Sequence, residues 1–196
     1  CSASMLNGKL EGANSGLRWG LSIRIFDGLR TVYGYTNEQE EEKILTVIDQ
    51  LTAAIGRKRQ AECPAIQEQI IQDQHAPEIP VQSVTLAQRR ALMQRANDAL
   101  LNYDPVIKKA IVNLADEDQT VIIASSDGRL VRDNRQRTRL RMQAVAMDGD
   151  RMQNSAKAPG AHAGYEFYDQ IDVEAMARDA ARTAKVMLNA DECPSG

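Results

Sequence analysis

The chain has little of what most chemistry needs. Its 196 residues contain two histidines, three cysteines and one tryptophan, and aromatic residues make up only 4% of the total. The histidines, His75 and His162, stand far apart in the sequence, each in a polar stretch, and read as exposed loop residues. No H-E-x-x-H or Cys/His cluster offers the three or four convergent ligands of a zinc site, so no metal ligand is assigned. Cys1, Cys63 and Cys193 are odd in number and widely spaced, which reads as free thiols in a reducing compartment and not as a disulfide framework. No serine sits in a G-x-S-x-G elbow, and no glycines form G-x-G-x-x-G or a P-loop. No catalytic residue is assigned, and the glutamates Glu40, Glu41 and Glu42 read as partners of a helix dipole. No apolar run approaches the roughly 20 residues that span a bilayer. The N-terminus also lacks the basic and apolar regions of a signal peptide, so a cytoplasmic location is expected. The net charge of −3 excludes a chain-wide cationic footprint for nucleic acid but permits a local one.

What the chain does have is patterned apolar content, 43% overall, enough for an aliphatic core. The organising stretch is 119–150. Val121, Ile122, Ile123 and Ala124 read as a strand, Asp127-Gly128 as a hairpin turn, and Arg129 to Arg132 as the return. A second turn is expected near Asp133-Asn134, followed by a strand from Arg135 to Met147. In that strand Arg135, Arg137, Arg139 and Arg141 recur at period two and share one face, while Thr138, Leu140, Met142, Ala144 and Ala146 take the other. The expectation is an antiparallel meander with one cationic face and one core face.

Upstream, residues 2–36 read as three strands joined by Asn7-Gly8 and Asp27-Gly28 turns. A helix follows, capped by Asn37 with Glu40, striped by Ile44, Ile48, Leu51 and Ile55, and closed by Gly56 with Arg57, Lys58 and Arg59. Its stripe is expected to pack on Leu21, Ile23 and Ile25. The Pro- and Gln-rich stretch from Gln60 to Val84 reads as a linker with a short helix at Ala65–Gln72. Thr85 and Gln88 form a capping box for a helix that Asp104-Pro105 stops, and Val106 to Asp116 reads as a strand. Met152 to Gly164 reads as a polar loop, Gly164 to Tyr168 as a short strand, and Asp172 as the cap of a last helix striped by Met176, Ala177, Ala180, Ala184 and Met187. The fold class is therefore α+β, in two small domains that each hold an antiparallel sheet flanked by helices. Residues 1–59 form the first, 60–84 the linker and 85–196 the second.

The four arginines are the unusual feature. A solvated face paired with acidic neighbours explains them, and so does contact with an anionic or extended peptide, added as a strand at an open edge. Phosphate contact with RNA or DNA is the weaker explanation, because no stacking aromatic shares that face.

Several pieces resemble the TldD/PmbA family, whose members are also called modulators of DNA gyrase. They are Asn7 to Gly12, Gly20 to Ile25, Tyr33-Gly34-Tyr35-Thr36, Ser126 to Asp133, and Gly164-Tyr165-Glu166-Phe167 with the Ala-rich helix beyond. Their order and spacing cover nearly the whole chain, and the middle pieces resemble the TldD branch. The resemblance implies a zinc metallopeptidase that degrades unfolded peptides or trims peptide precursors. Its HExxxH motif and zinc lie in a C-terminal domain with no counterpart in these residues. The family's usual first helix is absent as well, so both ends read as cut. What the resemblance leaves to this chain is a non-catalytic part that shapes the substrate chamber and contributes to a homodimer, or to a heterodimer with a family partner subunit. Arg135, Arg137, Arg139, Arg141 and Tyr165 are the candidate substrate contacts, and no cofactor is expected in this part. A PmbA-like partner subunit or peptide-binding scaffold is the alternative.

Overall fold

The long hairpin forms because two β-rich runs flank a turn that only certain residues close. In the computed structural model, which describes residues 1–56, 64–70 and 73–191, Ile107–Ala124 and Arg129–Asp148 pair antiparallel along almost their whole length. The amide of Gly128 donates to the Ser125 carbonyl, and Gly128 takes a positive φ of 88°. This is a three-residue hairpin loop with its glycine in the left-handed position. In chain order the strands are β1 (Ser2–Leu6), β2 (Lys9–Asn14), β3 (Leu21–Asp27), β4 (Arg30–Thr36), β5 (Gln67–Gln69), β6 (Ile107–Ala124), β7 (Arg129–Asp148), β8 (Arg151–Lys157) and β9 (Gly160–Ala161). The helices are α1 (Glu41–Ile55), α2 (Leu86–Leu101) and α3 (Val173–Leu188). The α+β class is as expected.

The described chain divides into two compact units: Cys1–Ser15 with Ile66–Gly196, and Gly16–Ala65. In the larger unit the sheet order is β2-β1-β6-β7-β5, with β8 and β9 also paired to β7. Strand β5 is parallel to β7 and the other pairings are antiparallel. In the smaller unit β3 and β4 form a two-stranded sheet with α1 packed on it.

The division cuts the expected first sheet. The Asn7-Gly8 turn forms, both residues at positive φ, but its hairpin joins β6 instead of β3. Ala3 and Met5 alternate inward and meet Leu114 and Val112 across the β1–β6 pair, so burial chooses that neighbour. The short-range turn was readable, while the third strand of the sheet lay about a hundred residues away.

Other expectations are corrected in the same way. No turn occurs at Asp133-Asn134, because both pair across the hairpin with Val121 and Thr120, and the Thr120 hydroxyl lies 3.0 Å from the Asn134 side-chain oxygen. Residues 152–164 are mostly strand, since Arg151–Lys157 and Gly160–Ala161 complete their backbone pairing along β7. Residues 165–169 form a 3-10 turn instead of a strand. Gln67–Gln69 is a strand where a helix at Ala65–Gln72 was expected, and residues 71–72 lie outside the described residues. Helix α1 starts after Glu40, whose side chain makes no cap bond, and not at an Asn37 cap. Its Gly56 stop is as read, at φ 75°. Arg57, Lys58, Arg59, Cys63 and Cys193 lie outside the described residues.

The core of the larger unit is one sheet face covered by two helices. Met5, Leu114, Leu140 and Met142 are buried beneath Leu92, Met93, Ala96 and Leu100 of α2 and Val173, Ala177, Ala180 and Ala184 of α3. Both helices start on local capping chemistry: Thr85 and Gln88 close their capping box, and the Asp172 carboxylate accepts from the Ala175 amide at 2.8 Å. The alanines let α3 approach the sheet closely. Met187, expected on that stripe, is exposed, and Leu188 takes the buried place. Arg95 and Glu174 join α2 to α3 through two hydrogen bonds of 2.6 and 3.0 Å.

In the smaller unit Leu51 and Ile55 of α1 are buried, and Gly34 of β4 lets the helix close down. A Cβ at Gly34 would sit 3.1 Å from both Val47 and Leu51.

Candidate functional site

Alternation along β7 produces two faces of opposite character. Gln136, Thr138, Leu140, Met142 and Ala144 point into the core, and Arg135, Arg137, Arg139 and Arg141 stand on the face that neither α2 nor α3 covers. Their neighbours across the hairpin are Gln119, Glu117, Ala115 and Asn113. Arg135 pairs with Asp133 at 2.6 Å, and Arg137 reaches Glu117 at 3.8 Å. Arg141 donates to the Gln143 side chain at 2.5 Å. Among the described residues neither Arg139 nor Arg141 has a carboxylate within ion-pair distance. The ladder is therefore half neutralised, and its two free cations are adjacent on the central strand. Surface ion pairs such as the first two are worth about 0–1 kcal/mol, so the ladder does little for stability.

The face beneath the ladder is pinned by a buried polar network. Arg89 and Asp116 are 6% and 5% exposed, and Nε of Arg89 donates to the Asp116 carboxylate at 2.8 Å. The rest of the guanidinium donates to the Val81 carbonyl at 2.6 Å and to the Val84 carbonyl. The Thr138 hydroxyl donates to the second Asp116 oxygen at 2.8 Å and lies 2.6 Å from the Tyr168 hydroxyl. Since the single Thr138 proton is committed to Asp116, the Tyr168 hydroxyl is the donor between them. Burial pushes the Tyr168 phenol well above its usual range. Gln136 accepts from the Val81 amide at 3.0 Å. The inward residues of β7 thus help hold the 81–84 segment, Gln136 directly and Thr138 through Asp116 and Arg89, while the outward ones present arginines.

A second anchor lies at the 3-10 turn. Glu166 is buried, and its carboxylate accepts from the amides of Ile79 at 2.9 Å and Gly164 at 2.8 Å. Burial alone would raise its pKa, but these backbone donors outweigh it and leave the group below the usual carboxylate range. Tyr165 belongs to this side. Its hydroxyl donates to the Gln88 carbonyl on α2 at 3.3 Å, and burial pushes its phenol up to about 12. The structure brings the four arginines together but leaves Tyr165 on the helix-covered side of the sheet.

Sequence reasoning missed both buried networks. Arg89, Asp116 and Thr138 carry no local motif and meet only through the strand register, while Glu166, though part of the Gly164-to-Phe167 piece, finds its far partner Ile79 only in the folded chain. It also kept the two histidines apart, whereas their rings lie 4.7 Å apart at an interplanar angle of 32°, both exposed. Among the described residues no three His, Cys, Asp or Glu side chains converge as a metal site, and no helix is long and apolar enough to cross a membrane.

Two family profiles match in order. The PmbA/TldA metallopeptidase domain 1 covers residues 1–55, and the PmbA/TldA metallopeptidase central domain covers residues 79–188. A metalloprotease of Methanothermobacter thermautotrophicus is 26% identical over 195 residues, spanning 98% of this chain and 42% of that protein. The crystal structure of a protein described as a modulator of DNA gyrase, from Bacteroides thetaiotaomicron, superposes with a TM-score of 0.73 at 13% identity. It covers 100% of this chain and 45% of that one. TldE from Thermococcus kodakarensis gives a TM-score of 0.61 at 13% identity, over 94% of this chain and 41% of that one. The chain belongs to the PmbA/TldD metallopeptidase family, and it spans less than half the length of these relatives.

Proposed function

We propose, from its place in the PmbA/TldD metallopeptidase family, that this chain is the non-catalytic N-terminal and middle part of a TldD-like metallopeptidase. In this reading the intact protein degrades or trims unfolded peptides in the cytoplasm, as a homodimer or with a family partner subunit. The observation that carries it is the order of the two family domains along a chain of under half a relative's length. Zinc and the groups that activate water belong to the remaining part of such a protein. This part shapes the wall of the substrate chamber and contributes to the subunit contact. Arg139 and Arg141, cationic and without carboxylate partners among the described residues, are its candidate polypeptide contacts. Tyr165 is a weaker one, since its hydroxyl is already engaged with Gln88.

The test uses the 196-residue chain itself. Incubated with zinc and an unfolded protein such as reduced casein, it should cleave nothing, and elemental analysis after dialysis should find far less than one zinc per chain. Stoichiometric zinc, or hydrolysis that a chelator abolishes, refutes the assignment. A partner-subunit role in place of an active branch is decided by whether the gene of the intact protein encodes an HExxxH helix.

A further inference from the structure

The smaller unit carries a surface that the reading above does not use. Alternation on β3 and β4 sends Leu21, Ile23, Ile25 and Val32 toward α1 and leaves Ser22, Arg24, Phe26, Tyr33 and Tyr35 on the opposite face. That face is uncovered: Phe26, Tyr33 and Tyr35 are 67%, 54% and 76% exposed. A chain with only eight aromatic residues thus places three of them together in solvent. Tyr33 lies directly opposite Arg24, whose guanidinium sits 5.4 Å from the ring centroid. Large exposed aromatics of this kind mark recognition surfaces, because they bury area at low entropic cost.

Two observations say what kind of partner fits. Among the described residues β3 and β4 pair only with each other, so each keeps an outer edge of backbone donors and acceptors. Open edges serve a polypeptide that adds as a strand, satisfying donors and acceptors alike, whereas a phosphate backbone could only accept from the amides. Local charge then selects among polypeptides. Arg24 stands on this face, whereas Asp27 and Arg30, opposite each other in register, lie on the α1 side, so the two strands give the aromatic face one cation and no acid, in a chain whose net charge is −3. We propose that the β3–β4 face is a docking site for an extended acidic polypeptide, which pairs with a strand edge and lays apolar side chains over Tyr33, Tyr35 and Phe26. This surface is independent of the arginine ladder and of whether the intact protein is an active peptidase.

The test measures fluorescence anisotropy with the full chain and a dye-labelled peptide of about twelve residues repeating Leu-Ser-Glu-Ser, so that Leu and Glu share one strand face, against its counterpart with Lys for Glu. The Glu/Leu peptide should bind at least tenfold tighter. Replacing both tyrosines, Tyr33→Ser with Tyr35→Ser, should weaken it about tenfold or more, as expected for aromatic anchors. These side chains point outward, so folding is not at stake, and Arg24→Glu gives an independent variant that should invert the preference between the two peptides. Hydrogen exchange should show new protection at β3 or β4 amides in the complex. Equal affinity for both peptides, or no loss in the tyrosine variant, overturns the proposal. So does tighter binding of single-stranded oligothymidylate than of peptide, or self-association of the chain that the tyrosine variant abolishes. Loss of binding only in Arg139→Ser with Arg141→Ser would also overturn it while leaving the proposed function standing.

Discussion

Replacing Arg89 with methionine tests the buried network under the arginine ladder. The guanidinium is held by the Asp116 carboxylate at 2.8 Å, the Val81 carbonyl at 2.6 Å and the Val84 carbonyl, all away from water. Methionine fills the space of the aliphatic stem but is shorter and has no donor. Asp116 would keep only the Thr138 hydroxyl at 2.8 Å and the charge of a buried carboxylate. Removing one partner of such a pair costs about 3–5 kcal/mol, against a typical total stability of about 5–15 kcal/mol. In a unit of this size that corresponds to a fall in Tm of about 6–20 °C. Adding Asp116→Leu removes the stranded charge, so the double variant should recover to a loss of about 1–3 kcal/mol. The two carbonyls would still lack their donor. The signature is therefore a double variant more stable than the Arg89→Met single, with little dependence on salt. Urea denaturation must be followed by far-UV circular dichroism, because the single tryptophan, Trp19, lies in the smaller unit and reports on the wrong one. A loss below about 1 kcal/mol for Arg89→Met, or a double variant as costly as the sum of its singles, would refute the reasoning.

Three further expectations follow from single positions. Glu166 has a folded pKa below its unfolded value, so its contribution is complete above about pH 4.5 and disappears as pH falls through the depressed folded value. The parent should lose stability across that acid window, and Glu166→Gln should be weaker at neutral pH with a flatter profile in thermal melts. Gly164→Ala would place a Cβ 2.4 Å from the Ile79 carbonyl oxygen and from the Glu166 carboxylate, so the larger unit should be destabilised by at least about 2 kcal/mol in urea titrations. At Gly34 an added Cβ meets only the ends of Val47 and Leu51, at 3.1 Å, so Gly34→Ala should cost less, about 1–2 kcal/mol, and be felt in α1 by amide exchange.

How much of this was legible in the sequence depends on range. Several caps and turns were readable because their partners lie within a few residues, namely Thr85 with Gln88, Asp172 with the Ala175 amide and Asn7-Gly8 at positive φ, although the Asn37 cap of α1 was not among them. The alternation of Arg135 to Arg141 against Thr138 to Ala146 was readable too, because period two is a property of the strand itself. The packing of α1 on the Leu21, Ile23 and Ile25 face was also read correctly, whereas most decisions about which strands pair over long range failed. Asp133-Asn134 has the composition of a turn, yet both residues are paired across the hairpin, which overrides the local preference. The polar 152–157 segment looks like a loop for the same reason, since its partner is β7 and its side chains are mostly exposed. The buried networks are the extreme case. Arg89 and Asp116 are 27 positions apart, and an isolated arginine on a helix reads as solvent-facing until the strand register supplies its carboxylate. The site follows the same logic. Sequence found the arginines because they repeat, whereas their electrostatic inequality comes from register. Position 117, opposite Arg137, is a glutamate; position 115, opposite Arg139, is an alanine; and Asn113, opposite Arg141, carries no charge. Reversing one of those neighbours, Ala115→Glu, should neutralise Arg139 without touching it, and should change polypeptide binding at the ladder as strongly as removing the arginine. Unchanged binding in that variant would mean that free charge is not what the ladder contributes.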